Sequence, residues 1–242
     1  MKSASLTRHA SPAAPHDQVI SEDPERLASL ALPPLVVTGL YYALPTRLQS
    51  QPAILFLPQT LAYLGLAVWT LRNGETARRL GLRLDQLVQG LRWGVLAGLI
   101  LGVVNVSVIL WLVPRLGGDI SFLRETPHAQ LPTALMLPWL ILLIAVAVEL
   151  NFRGFLLGRL LALCARAGAG PALAATSAIA GSALAFAFDP FMVATFRNLH
   201  WIAVWDGMIW GAIWVRFRNL YAPIVAHSVE VMIMYSILKL VL

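Results

Sequence analysis

The chain has 242 residues, 58% of them hydrophobic and 12% charged, with a mean hydropathy of +0.73. Soluble domains carry about 25% charged residues, so this composition excludes an ordinary soluble domain and describes a multi-pass membrane protein. A formal net charge of +6 then points to basic loops against anionic lipid and not to nucleic acid. Cys164 is the one cysteine, which excludes an internal disulfide and a cysteine-built metal site. No His-Glu-x-x-His run occurs and the five histidines are scattered, so neither a metal nor a cofactor is expected.

Residues 1–28 are polar, with Pro12, Pro15, Pro24 and charges of both signs. They lack the apolar core of a signal peptide and read as a disordered tail. A span needs about 20 mostly apolar residues. Seven spans are predicted, over residues 30–44, 52–71, 93–113, 133–153, 172–188, 199–215 and 220–240. The expected fold is therefore all-α, a transmembrane bundle of about seven helices. Residues 29–131 form its N-terminal part and residues 132–242 its C-terminal core. The loop at 72–92 is basic and amphipathic, and Leu84, Leu87, Val88 and Leu91 predict a short surface helix.

In the third span Gly94, Gly98 and Gly102 form a ladder that lets a neighbouring helix approach closely. Gly168 and Gly170-Pro171 end the fourth helix, and Asp189-Pro190 ends the fifth. With the 72–92 loop inside, only Arg47, Arg115, Arg124, Arg197 and Lys239 of the 18 basic residues fall outside. The positive-inside rule then sets the N-terminus in the cytoplasm. A bacterial inner membrane is the expected location.

The fourth span carries the most informative residues. Leu135 to Val148 holds no charge, and then Glu149 appears with Arg153 four residues on. A charge at the bilayer centre costs roughly 2.5–3.5 kcal/mol by insertion scales, so it needs protein or water around it and a partner. The two residues share one helix face. A structural ion pair, with Arg153 snorkelling towards the headgroups, satisfies that spacing.

The wording of the stretch adds a second reading. Glu149-Leu150-Asn151-Phe152-Arg153-Gly154 resembles the first motif of the CPBP family, the CAAX-prenyl proteases and bacteriocin-processing proteins. That motif is Glu-Glu-x-x-x-Arg; its second Glu falls on Glu149 and its first on Val148. Asn219, Leu220, Pro223, Ile224, Ala226 and His227 resemble the last motif, and Gly207 and Gly211 stand where the family carries a Gly-x-x-x-Gly helix. The amide or acid that closes the last motif falls on Val231. In the middle motif, Phe-x-x-x-His, the histidine falls on Pro190.

The resemblance covers about residues 132–231 and implies that the last four helices form a CPBP-like core. In that family the first Glu and the middle His activate water, and the last His with its amide or acid stabilises the oxyanion. Val148, Pro190 and Val231 can do none of this. Glu149, Arg153 and His227 remain as the candidate catalytic residues. Asp206, Glu230, Asp189 and His200 are candidate supports. Glu230 lies three residues past His227, on the face from which it could orient the imidazole.

Two functions follow from the resemblance. One is a degenerate intramembrane protease that binds or scaffolds another membrane protein. The other is an active glutamate-type endopeptidase using Glu149 and His227 on a protein substrate. Three apolar residues at family catalytic positions favour the first.

Overall fold

The computed structural model describes residues 25–242. The tail reading for residues 1–24 lies outside the described residues. Among these residues there are helices and turns but no strands. The helices that matter for the site are α1 (Leu32–Tyr41), α2 (Leu57–Arg72), α3 (Leu87–Ser107), α4 (Thr133–Arg166), α5 (Pro171–Ala187), α6 (Ile202–Phe217) and α7 (Tyr221–Val241).

Prolines start several of these helices. Pro33, Pro34, Pro58 and Pro171 sit in first turns, where a missing N–H breaks no helical hydrogen bond. Among the described residues, three runs are long and apolar enough to cross a membrane: Thr76–Arg115, Thr133–Arg166 and Tyr221–Val241. A fourth is the pair Pro171–Ala187 and Pro190–Phe196, bent by 53°. The other expected spans are shorter helices. α2 and α6 have 16 residues each, about one turn below the usual span, and α1 has 10.

The basic loop differs from its expected form. Leu84–Gln86 is a single 3-10 turn, and Leu87, Val88 and Leu91 already belong to α3. A separate short helix, Thr76–Leu80, precedes them. Gly81 ends it at φ 89°, and a Cβ there would lie 2.9 Å from the Leu220 nitrogen. The close approach is used: Leu220 N–H donates to the Gly81 carbonyl at 2.8 Å, and Trp214 Nε1 donates to the Leu80 carbonyl at 3.0 Å. The loop is thus pinned to the α6–α7 turn.

The glycine ladder of α3 packs along α7. A Cβ on Gly94 would meet Val225 at 2.6 Å, on Gly98 the Ala226 carbonyl oxygen at 2.6 Å, and on Gly102 Ile233 at 2.9 Å. The two backbones therefore touch through a stripe with no side chains on one side. Asn219 starts α7: its Oδ1 accepts from Tyr221 N–H at 2.9 Å while its Nδ2 donates to the Gln86 carbonyl at 2.8 Å.

The distribution of polarity is that of a membrane protein. Leu96, Leu99, Ile100 and Val103 on α3 and Leu143 on α4 are exposed. Asn105, Glu149, Arg153, Asp206 and Glu230 are buried. Apolar side chains turn towards lipid, and ionisable ones turn into the bundle, where other protein groups can satisfy them. The chain is an integral membrane protein with an all-α helical fold.

Candidate functional site

α4 supplies the first part of the site. Its backbone is α-helical over Ile141–Glu149 and π-helical over Leu150–Leu157. Such wide turns are rare and often occur at functional positions. Ser182 Oγ donates to the Phe152 carbonyl at 2.7 Å and ties this stretch to α5. Glu149 and Arg153 still share a face. Arg153 donates to Glu149 Oε1 at 3.2 Å, and both side chains are fully buried.

α7 brings His227 to the same oxygen. His227 Nδ1 lies 2.9 Å from Glu149 Oε1. A carboxylate only accepts, so Nδ1 is the donor in this contact. The imidazole stacks on Trp210 with ring centroids 4.6 Å apart and planes at 19°. The Arg153 guanidinium lies 4.5 Å from the Phe186 ring centre and 5.0 Å from that of Trp210. Aromatic faces of this kind stabilise a cation removed from water. Gly207 makes room for it, since a Cβ there would stand 3.0 Å from Arg153 Nη2.

A second polar group lies beside the first. Asn105 Nδ2 donates to Asp206 Oδ1 and Oδ2, each at 3.1 Å, and to Glu230 Oε1 at 2.6 Å. Trp205 Nε1 donates to Asn105 Oδ1 at 2.9 Å, which fixes the amide with its nitrogen towards the acids. α3, α6 and α7 thus meet at one amide and two carboxyl groups.

A cavity of about 570 Å³ opens beside both groups. That volume is within the range of ligand sites, roughly 300–1,000 Å³. His227, Asp206 and Glu230 line it, and so do Trp210, Phe186 and Phe152. Val148 and Val231, which stand at the motif positions of the water-activating Glu and the closing amide, are on its wall. Glu149 and Arg153 are not; they lie behind it.

The remaining sequence candidates have other contacts. Asp189 lines the cavity but caps the helix Pro190–Phe196, accepting from Phe191 N–H at 3.0 Å and from Gln59 Nε2 at 2.9 Å. Pro190 is the first residue of that helix and is buried. His200 lines the cavity, bonds the Arg197 carbonyl and packs on Phe188. The expected orientation of His227 by Glu230 is not made: the Glu230 carboxyl bonds Asn105, and Glu149 holds the imidazole. Asn105 was missed by the sequence reading. Its signal was available, because it continues the Gly98/Gly102 face of α3 as an amide inside an apolar span.

Residues 130–233 match the family model described as type II CAAX prenyl endopeptidase, Rce1-like. Over this region the chain is similar to the type II CAAX prenyl endopeptidases of the CPBP family. The match takes in every candidate residue named above except Asn105, which reaches the Rce1-like region from outside it. No curated protein and no solved structure matches the chain.

Proposed function

We propose that this Rce1-like protein is a degenerate intramembrane protease that holds another membrane protein in its cavity without cutting it. The observation that carries this reading is the cavity wall. Valines occupy the positions from which the family activates water and closes its oxyanion site. Peptide hydrolysis needs a base within hydrogen-bond reach of the attacking water, directly or through one further water. It also needs preplaced donors at the developing oxyanion. Glu149, the surviving motif carboxylate, is fully buried behind the wall and engaged by both Arg153 and His227. It is a clamp between α4 and α7.

One observation favours the endopeptidase reading. Asp206, Glu230 and His227 do line the cavity, so two acids and a histidine border the space a peptide would enter. That site differs from the expected Glu149 and His227 pair. The test is to purify the full chain with its membrane partner and identify the partner by mass. The expected result is an intact, stoichiometric partner whose size is the same with wild type and with His227→Ala. A partner recovered as fragments with wild type, and whole with His227→Ala, would establish the endopeptidase instead.

The same reading sets the chain in a bacterial inner membrane with a cytoplasmic N-terminus, supported by the unequal distribution of basic residues. Reporters fused after Asn73 and after Gly118 are expected to read inside and outside respectively. The opposite pattern overturns this orientation.

A further inference from the structure

The second polar group has more acceptors than donors. Asp206 and Glu230 present four carboxyl oxygens, and both residues are nine-tenths or more buried. Asn105 offers one –NH₂ with two hydrogens, and three of the four oxygens lie within 3.1 Å of its nitrogen. The fourth, Glu230 Oε2, has no hydrogen-bond partner. Asp206 and Glu230 also bond each other, which takes one shared proton and leaves one negative charge on the pair. Arg153 is the one buried guanidinium beside these acids, and its bonded partner is Glu149. An unmatched buried charge is costly, yet these two acids line a mostly apolar cavity of about 570 Å³, with Arg124 and Lys239 also in its lining.

Part of the cavity wall reaches the outer surface of the bundle. Exposed Tyr63 and Ile144 form part of its wall, at 38% and 37% exposure.

We propose that this cavity receives a lysine or arginine carried on a transmembrane segment of the partner protein. The inference rests on the binding function proposed above and specifies the chemistry of the partner. A lysine brings three donors and one positive charge, and an arginine brings five donors. Either supplies what the Asn105, Asp206 and Glu230 group lacks. The partner gains as well, because a cationic side chain in a span is unfavourable until it meets a carboxylate. The apolar walls accept the stem of the side chain.

The test uses the full chain in lipid nanodiscs and three synthetic membrane-spanning peptides of leucine and alanine. They differ at one central position, which is Lys, Leu or Glu. Association is read by energy transfer from labelled peptide. The Lys peptide is expected to bind about tenfold or more tightly than the Leu peptide, and the Glu peptide no better than Leu. In D206N/E230Q the preference for Lys disappears, because the new amides supply their own donors. Val231→Lys places an ammonium on the cavity wall itself, and it too is expected to abolish the preference while the protein stays folded. It decides the matter if the double variant does not fold. Equal binding of Lys and Leu peptides to wild type, or a preference that survives either variant, overturns the proposal. A natural partner that co-purifies equally with wild type and D206N/E230Q would leave the binding function standing and remove only the cation.

Discussion

Glu149→Gln lowers the stability of the folded protein by about 3–5 kcal/mol, the usual cost of leaving one member of a buried ion pair alone. The substitution keeps the shape and removes the charge. Arg153 cannot give up its proton to compensate, and it is fully buried. The faces of Phe186 and Trp210 remain beside the guanidinium, but contacts of this kind contribute about 0.5–2 kcal/mol and fall short of the loss. Two contacts of Glu149 Oε1 weaken together, so α4 loosens from α7 as well as from Arg153. The measurement is reversible denaturation in detergent. Glu149→Gln combined with Arg153→Met is expected to recover most of the stability, because an apolar pair needs no counter-charge. Unchanged stability in the single variant would mean that Asp206 and Glu230 already neutralise Arg153, and the clamp assignment would fall.

Gly98→Leu is expected to cost about 3 kcal/mol or more, at or above the top of the range for overpacked cores. The first added carbon would lie 2.6 Å from the Ala226 carbonyl oxygen and 2.8 Å from Val229 Cβ. The nearer of these is a backbone atom, which cannot rotate aside. α3 must therefore move away from α7. Asn105 rides on the same face, two turns further along, and its bonds to Asp206 and Glu230 lengthen with that movement. Gly39→Leu serves as the comparison, since nothing lies within 4 Å of a Cβ there. The expected result is a large fall in midpoint temperature for Gly98→Leu and little change for Gly39→Leu. Equal effects would show that the stripe does not hold the two helices together.

Much of this protein was determined by the order of its residues alone. The start and the end of α5 follow from Gly170-Pro171 and Asp189-Pro190, because prolines and caps act within a turn of where they stand. The pairing of Glu149 with Arg153 follows from four-residue spacing, which places two side chains on one face whatever surrounds them. The glycine ladder is equally local. It marks a face that a backbone can approach.

What that face meets is not local, and only the tertiary structure decided it. α7 could be assigned to the ladder only when residues more than a hundred positions apart were brought together. Asn105 joins Asp206 across 101 residues and Glu230 across 125. Helical periodicity names the special side of a helix and is silent about the neighbour that covers it. The same limit hid the division of the site. Val148 and Glu149 are consecutive, yet the turn of the helix sets the valine on the cavity wall and the acid behind it. The motif shows which residues are present. Burial decides which of them a ligand can touch.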